Sequence, residues 1–235
     1  MTWQIRNRTG HLLAPVGAAA FGCFIALAGC SSGGGSLSTG SLVNTVKGAF
    51  HGTGTPPITR EDVKSIPFAS LGYRVGDSAE EMLVLAGKEG GELVWTSSAK
   101  ITVVTQNGRI VRTIGLQHDL RGLALKDGSA IGLEPGATSS WTIRFDDPDE
   151  ATASLSCSVT SVASEVISIL QRNVRVSRID EACSSPDLRW RFENHYWIDP
   201  ASRIVWQSEQ HTHPRLKLIR TEVLRPYTPG GSGSK

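Results

Sequence analysis

The sequence has no strong excess of charge of either sign and lacks several common catalytic motifs. Its 235 residues carry 24 basic and 22 acidic side chains, a formal net charge of +2 at pH 7. Nucleic-acid-binding domains usually show a concentrated basic patch, so this balance argues against nucleic acid as a partner. The chain also has no Gly-Lys-Ser/Thr phosphate loop, HExxH zinc motif or CxxC redox pair.

Acidic side chains are entirely missing from residues 1–29. Arg6 and Arg8 precede an apolar stretch at residues 12–28 that is rich in glycine and alanine. A basic start, a short apolar run and small residues are typical of a secretory signal peptide. The run is shorter than the roughly 20 apolar residues of a membrane-spanning helix, and its glycines argue against a core helix.

The apolar stretch ends in Leu27-Ala28-Gly29-Cys30, which resembles a bacterial lipobox. In proteins with this pattern the chain is cut before the cysteine, whose sulfur carries a diacylglycerol and whose new amino group is acylated. We therefore predict lipidation of Cys30, because only a thiol can form the thioether. Two or more acyl chains hold a protein stably at a membrane. The alternative is an ordinary signal peptide with an incidental cysteine.

Two neighbouring positions refine this prediction. Cys23 fits the lipobox less well than Cys30, because the bulky Phe21 would lie too close to the cleaved bond. Ser31 follows Cys30 at the position where enteric lipoproteins retained in the inner membrane tend to carry Asp. By that resemblance, the outer membrane is the predicted location, with the protein on its periplasmic face.

These features divide the sequence into four segments. We predict a signal peptide at residues 1–29, an acylated cysteine with a Ser/Gly-rich flexible tether at 30–55, a β-rich periplasmic domain at 56–228 and a disordered tail at 229–235. Loss of the signal removes two arginines and leaves 22 basic and 22 acidic side chains. The mature chain is therefore formally neutral.

The mature domain contains two further cysteines, Cys157 and Cys183. An even pair in an exported chain favours a disulfide, because export delivers the chain to an oxidising compartment. The alternative is a metal or redox pair. The 25 intervening residues do not match redox CxxC spacing, and no His–Cys pattern of zinc ligands surrounds them.

Most of residues 56–228 has the pattern of β-strands. The clearest signal is a hairpin, in which two β-branched runs flank Asn107-Gly108, a pair suited to a type I′ turn. The apolar residues Trp141, Ile143 and Phe145 alternate with polar residues, as in a half-buried strand. The turn at residues 199–202 predicts a second hairpin near the C-terminus.

Helical signals are few and lie near the N-terminus. Residues 42–51 have near-helical apolar spacing, and Thr59 with Asp62 forms a loose capping box for a turn at residues 60–64. Evenly spaced strands without long helices predict a mainly β fold. We expect an antiparallel barrel or sandwich with one or two short N-terminal helices.

Candidate metal ligands and catalytic acids are weak. His211 and His213 would share a face if both lay in a strand, with His195 across the hairpin as a third ligand. Their position near a strand end favours an ordinary solvated face, so we predict no metal or cofactor. Asp199 and Glu209 are the acids best placed for hydrolysis, but the hairpin turn explains Asp199 without chemistry.

The C-terminal hairpin combines aromatic and charged side chains. Polar residues around 187–193 alternate with apolar ones, which is most simply a solvated face. A polysaccharide or a protein partner could also bind such a face, because tryptophan beside polar groups is common in sugar sites. The candidate contact residues are Arg191, Trp197 and Trp206.

Two stretches of the chain resemble a known family. The first motif, "LVWTSSAKITVVTQNGRIVRTIGLQHDL" at residues 93–120, and the second motif, "RFENHYWIDPASRIVWQSEQHTHP" at residues 191–214, are similar to signatures of the GfcB/YjbF group of outer-membrane lipoproteins. The resemblance extends over residues 71–226. The motifs consist of strand and turn residues, and they imply a mostly β domain without catalytic residues to carry over. The pair Cys157 and Cys183 is not part of the pattern.

The resemblance implies a link to group 4 capsule or other exopolysaccharide production. Our first hypothesis is a non-enzymatic accessory protein, anchored through Cys30, that acts with an outer-membrane β-barrel or another envelope export protein. The second is a polysaccharide-modifying enzyme of the same pathway, and the third is a plain polysaccharide-binding module.

Overall fold

The computed structural model describes residues 56–126, 133–147 and 152–228, all of which belong to one compact unit. The predicted signal peptide, the lipidated Cys30, the tether, the helix at residues 42–51 and the tail at 229–235 lie outside the described residues. Within the described part, no helix has the length and apolar character needed to cross a membrane.

The described chain has one helix, α1 (Arg60–Ser65), which the sequence predicts closely. Thr59 is its N-cap. The Thr59 hydroxyl accepts the Asp62 amide hydrogen, and the Asp62 carboxylate accepts the Thr59 amide hydrogen at 2.8 Å. This reciprocal capping box satisfies two backbone donors that a helix start leaves without partners. Val63 and Ile66 then pack outside the sheet against Met82.

Twelve antiparallel strands follow, so the prediction of a mainly β fold is confirmed. They are β1 (Ser70–Val75), β2 (Glu81–Glu89), β3 (Glu92–Thr96), β4 (Thr102–Gln106), β5 (Arg109–Ile114), β6 (Leu120–Leu125), β7 (Thr138–Phe145), β8 (Thr152–Ile169), β9 (Arg172–Ser185), β10 (Trp190–Ile198), β11 (Val205–Gln210) and β12 (Ile219–Arg225).

All twelve strands form one sheet, in the order β5-β4-β3-β2-β1-β12-β11-β10-β9-β8-β7-β6. Its two edge strands, β5 and β6, are consecutive in the chain and lie side by side. The Leu120 amide donates to the Thr113 hydroxyl at 2.8 Å, and the same hydroxyl donates to Asp119 at 2.9 Å. The sheet is therefore a nearly closed barrel, which resolves the choice between barrel and sandwich. Closure also covers edges that would otherwise be open to aggregation.

The β4–β5 hairpin has the turn that its sequence predicts. Asn107 and Gly108 have φ angles of 50° and 81°, so both residues lie in the left-handed region that a type I′ turn requires. Gly108 also faces the start of β11, where a Cβ atom would lie 2.4 Å from Val205. Glycine at this position thus serves both the turn and the close approach of two strands.

Alternate residues of the strands fill the barrel. The largest core cluster includes Trp141, Ile143 and Phe145 of β7, as their alternation predicts, together with Leu83 and Val103 from the other half of the sheet. Because side chains alternate along a strand, the intervening residues form the outer wall.

The β8–β9 hairpin extends beyond the barrel and returns against its outer wall. Ile169 and Val176 of this hairpin pack with Trp197 and Trp206 of β10 and β11. At its other end, Cys157 and Cys183 are directly opposite each other on β8 and β9 and form a disulfide, with 4.1 Å between their Cα atoms. The predicted disulfide is confirmed.

Candidate functional site

The most heavily buried charges of the described chain lie inside the barrel. Arg109, the first residue of β5, contacts Glu181 of β9 through two hydrogen bonds of 2.6 and 2.8 Å. The two side chains are only 3% and 2% exposed. The Arg109 guanidinium also lies over the rings of Trp141 and Tyr196, at 4.9 and 5.2 Å from their centroids. This ion pair connects opposite parts of the sheet across the interior.

Side chains of the second sequence motif surround this ion pair. The Gln210 side chain accepts the Ile110 amide hydrogen and donates to the Gly108 carbonyl, both at 2.9 Å. Asn194 and Tyr196 place their polar groups 3.4 and 3.3 Å from Glu181. The two motifs, a hundred residues apart in the chain, therefore meet inside the barrel and bind each other.

Arg109 and Tyr196 of this interior network keep their protons at ordinary pH. Burial alone would lower the pKa of Arg109, but Tyr196 and Glu181 outweigh this effect and raise it. Burial raises the pKa of Tyr196 well above its usual value. A guanidinium and a phenol with such values exchange no proton near neutral pH. The network is therefore suited to holding the fold together and not to acid–base catalysis.

A second charged network lies on the outer wall, one residue away from Glu181. Asp180 accepts hydrogen bonds from Ser161 and from Nε of Arg178 at 2.8 Å, and Nδ1 of His195 lies 2.6 Å from it. Burial raises the pKa of Asp180, but the three donors together lower it below its ordinary value. Ser161 contacts the carboxylate and not the imidazole, so this arrangement differs from a serine–histidine–aspartate triad.

Two of the three predicted contact residues lie in the cluster beneath the β8–β9 hairpin. Trp197 and Trp206 are each 7% exposed, and Nε1 of Trp197 donates to Glu165 at 2.9 Å. Arg191 is exposed and lies six residues from Trp197 along β10, a distance of about 20 Å. The structure thus brings the two tryptophans together as packing residues and leaves Arg191 at a separate place on the outer wall.

The structure does not bring the three candidate metal-binding histidines, His195, His211 and His213, together at one site. Strand β11 ends at Gln210, so His211 and His213 do not share a strand face. His211 packs against Phe192, and burial, followed by the charge of His195, lowers its pKa. His213 is fully buried instead, stacked on His118 at 4.7 Å between ring centroids.

His213 and His118 do converge on one carboxylate, that of Asp147. Nε2 of His213 and Nδ1 of His118 lie 2.8 and 3.2 Å from it. However, Nδ1 of His213 accepts the Arg215 amide hydrogen at 3.0 Å. A neutral imidazole with Nδ1 as acceptor carries its proton on Nε2, the atom nearest the Asp147 carboxylate. A metal at Nε2 would need an imidazolate, and the Arg215 guanidinium, 3.1 Å from Asp147, adds an opposing charge.

The two nominated catalytic acids serve local structure. Asp199 accepts the Ala201 amide at 2.9 Å and the Ser202 hydroxyl at 2.7 Å, and these contacts lower its pKa. Glu209 forms an ion pair with Arg220. Asp199 lies opposite Ile204, five residues from Glu209 along the hairpin, or about 16 Å. The acid pairs of glycosidases are only about 5–9.5 Å apart.

Sequence reasoning missed Arg109, Glu181 and Gln210 as buried polar residues. Arg109 follows a turn and Glu181 lies in the acidic stretch at residues 180–181, so both resemble surface residues. The sequence offered one signal of their burial, for Glu181 alone. Residues two apart in a strand lie on the same face, so Glu181 shares the face of Cys183, the disulfide cysteine.

A family model and two relatives of this chain point to the same family of lipoproteins. The family model described as group 4 capsule polysaccharide lipoprotein GfcB, YjbF matches residues 43–224. The uncharacterized lipoprotein GfcB of Escherichia coli K12 is 26% identical over 217 residues, which cover 85% of this chain and 94% of GfcB. The uncharacterized lipoprotein YjbF of the same organism is 26% identical over 200 residues, covering 81% and 91% of the two chains.

A solved structure shares the fold. The crystal structure of the hypothetical lipoprotein YmcC from Escherichia coli K12 superposes with a TM-score of 0.69 and 19% identity. The match covers 83% of this chain and all of that one. Together with the match of the family model over most of the sequence, these observations show that the chain belongs to the GfcB/YjbF family of group 4 capsule polysaccharide lipoproteins.

Proposed function

We propose that this protein is a non-enzymatic accessory factor in the assembly or export of a capsule or exopolysaccharide. It is held at the periplasmic face of the outer membrane by acyl chains on Cys30, and it acts with an envelope export protein such as an outer-membrane β-barrel. The observation that carries the proposal is the match of the capsule-lipoprotein family model to residues 43–224.

The interior of the barrel supports a structural role for the residues that the family resemblance picks out. Arg109, Asn194, Tyr196 and Gln210 bind one another and Glu181 in the core. They are therefore needed for the fold, and partner recognition falls to the outer wall.

A second candidate function is direct binding of the polysaccharide. A cleft of about 540 Å³ on the outer wall favours it, since the cleft is lined by Arg191 and by several serines. The third candidate, modification of the polymer, rests on Asp199 and Glu209. Their separation along the hairpin is greater than hydrolysis by a carboxylate pair requires.

The anchor is tested by replacing Cys30 with alanine in cells that depend on this protein for surface polymer. We expect the chain to lose its acyl mass, to leave the membrane fraction and to stop supporting the polymer. Cys23→Ala is the matched control, because Cys23 lies in the same apolar stretch and should leave all three properties unchanged. Retention of Cys30→Ala in membranes with full polymer would overturn the proposal.

The accessory role is tested by purification of the acylated protein from membranes. We expect an envelope protein to co-purify in a fixed ratio. Cells carrying Asp199→Asn or Glu209→Gln should keep normal polymer length, provided that the variants fold. A change in polymer length with folding intact would instead support the polymer-modifying alternative.

A further inference from the structure

A row of side chains crosses five neighbouring strands on the outer wall. Lys126 follows β6 and donates its amide to the Ser140 carbonyl of β7 at 2.8 Å. Ser140 lies opposite Ser156 of β8, Ser156 opposite Ser184 of β9, and Ser184 opposite Arg191 of β10. Three hydroxyls thus lie between two cations, in a row about 19 Å long at the usual spacing of strands.

Four members of the row, the three serines and Arg191, line a concave surface, and Lys126 lies beside Ser140 at its end. One cleft of about 540 Å³ is lined by these three serines, by the neighbouring Ser158 and by Arg191. A second, of about 570 Å³, shares Ser184 and Arg191 with the first and continues to the β9–β10 turn. The two volumes are in the range of sites that hold small ligands. We refer to the two together as the serine cleft.

Several polar groups in the serine cleft lack protein partners. Ser185 lines the second part of the cleft and is 1% exposed, and its hydroxyl has no hydrogen-bond partner among the described residues. Its side chain shares the inner face of β9 with Glu181 and Cys183, so a ligand on the outer wall does not reach it. The hydroxyls of Ser140, Ser156 and Ser184 lie on the outer wall and make no hydrogen bond with the described part of the protein, so they are open to a ligand.

The charge of the cleft points to an anionic ligand. Arg189 and Arg191 line it, and neither forms an ion pair with a described residue. Beside Ser140, Nζ of Lys126 donates to the Ser154 hydroxyl at 2.8 Å and forms no ion pair with a described residue. The nearby acids are fewer: Asp187 accepts the Ser154 amide at 2.8 Å, and Glu193 lies two residues beyond Arg191 on the same face.

Arg191 faces the outer wall, whereas Trp190 and Phe192 on either side of it pack against the interior core cluster. These two rings lie 4.0 Å apart between centroids and support the wall beneath the cleft. Arginine forks bind carboxylates through two hydrogen bonds, and serine hydroxyls can exchange hydrogen bonds with sugar hydroxyls. The combination of these groups on one extended surface suits a chain molecule better than a compact anion.

We propose that the serine cleft binds a segment of a carboxylate-bearing polysaccharide, with Arg191 and Lys126 as its two charged contacts. The proposal rests on the proposed function and deepens it by assigning the polymer class and the place of contact. Trp197 and Trp206 lie outside this cleft and take no part in it.

The test uses the full-length acylated protein in detergent, with alginate and polygalacturonate as acidic probes and dextran as the neutral probe. We expect the acidic polymers to bind and dextran to bind at least tenfold more weakly. The double variant Lys126→Glu/Arg191→Glu should weaken acidic polymer binding at least tenfold. Ser156→Phe, which fills the middle of the row at an exposed position, should do the same without changing the charge.

Arg175→Glu is the matched control, because Arg175 is exposed on the β8–β9 hairpin away from the cleft. It should keep at least half of the affinity. Equal losses in Arg175→Glu and the double variant, or no loss in Ser156→Phe, would show binding by general charge and overturn the proposal. Failure of both acidic polymers to bind, or equal binding of dextran, would overturn it as well.

The same variants separate this inference from the proposed function. Cells with Cys30→Ala should lose surface polymer whatever the cleft does. If the Lys126→Glu/Arg191→Glu protein folds, remains in membranes and supports normal polymer, the cleft proposal fails while the accessory function stands. If Cys30→Ala also supports normal polymer, the proposed function itself fails.

Discussion

The inner and outer faces of one strand, β9, give two carboxylates very different roles. Glu181 points into the barrel, where its side chain is 2% exposed and binds Arg109 through two hydrogen bonds. Asp180, the preceding residue, points outward at 18% exposure and binds Arg178, His195 and Ser161. Both acids have several donors, and they differ chiefly in how much water reaches them.

This difference determines what each network contributes. Taking a charge out of water costs several kcal/mol, so the interior pair is stable only while both partners are present. A partly exposed network retains its contact with water, and its ion pairs contribute roughly 0–1 kcal/mol each. The interior network is therefore expected to specify how the two sequence motifs meet. The outer network is expected to add a small, salt-dependent stabilisation where the β8–β9 hairpin leaves the barrel.

The largest effect is expected from separating the interior pair. Arg109→Met or Glu181→Gln leaves an uncompensated buried group and should reduce the free energy of unfolding by about 3–5 kcal/mol. The double variant Arg109→Met/Glu181→Gln should cost less than the sum of the two, because each single change already breaks the same contact. Urea unfolding measures all three. Arg178→Met on the outer wall is the matched control, and an equal loss there would contradict the comparison.

The disulfide should have the next largest effect. Cys157 and Cys183 close a loop of 26 residues between β8 and β9. In the chain-entropy description, opening such a loop costs about 3–4 kcal/mol, so Cys157→Ala/Cys183→Ala should lower stability by that order. Adding a reducing agent to the unmodified protein should reproduce the change in urea unfolding, but it should leave the double variant unaffected. A fall of less than 1 kcal/mol in the free energy of unfolding would contradict this prediction. It would show that β8 and β9 stay paired without the disulfide.

A third acid, Glu222, is expected to lower the stability of the fold when it is ionised. Glu222 lies on the outer face of β12, where burial and, next, the neighbouring Glu80 raise its pKa to about 7. The folded pKa is above the unfolded one, so stability is full below about pH 4 and falls as the pH rises towards 7. Glu222→Gln should therefore stabilise the protein at pH 8, by about 1–2 kcal/mol after allowance for solvent screening.

The same change should have no effect at pH 4, where the carboxyl is protonated in both states. Glu209→Gln is the control, because Glu209 is ion-paired with Arg220 and its loss should bring no gain. Thermal unfolding at the two pH values measures both variants. Stabilisation by Glu222→Gln of equal size at pH 4 and pH 8 would show that its charge is not the cause.

The smallest effect is expected in the outer network. The folded pKa of Asp180 is lowered, so its contribution is present above the unfolded pKa of about 3.9 and is lost as the pH falls through the folded value. Asp180→Asn should thus cost up to about 1 kcal/mol at pH 7, and less in high salt. Asp77→Asn, whose side chain is 97% exposed, should be neutral. A salt-independent loss would point to packing in place of charge.

Local elements of the fold were predictable because their signals lie within a few residues. Thr59 and Asp62 define the capping box, and Asn107-Gly108 defines the hairpin turn, through backbone preferences that hold in any surrounding. Strand alternation around Trp141 also identified one buried face. The prediction that polar and apolar residues alternate along one solvated strand face over residues 187–193 was less accurate. Strand β10 begins at Trp190, and Arg189 lies in the turn with a φ angle of 49°.

The candidate site could not be predicted in the same way. Lys126, Ser140, Ser156, Ser184 and Arg191 are spread over 66 positions, and only the register of five strands brings them into one row. The prediction selected Arg191 from this row together with two tryptophans. The fold places those tryptophans beneath the β8–β9 hairpin, at 7% exposure.

By itself, the sequence determined the mainly β character, the capped helix, the tight turns and the disulfide partners, because each depends on local preferences or on a single pair of residues. Only the tertiary structure decided that one sheet closes on itself, that Arg109 and Glu181 face inward, and that a row of serines lies between two cations. These features depend on strand register, and a shift of one residue would exchange the inner and outer faces of a strand.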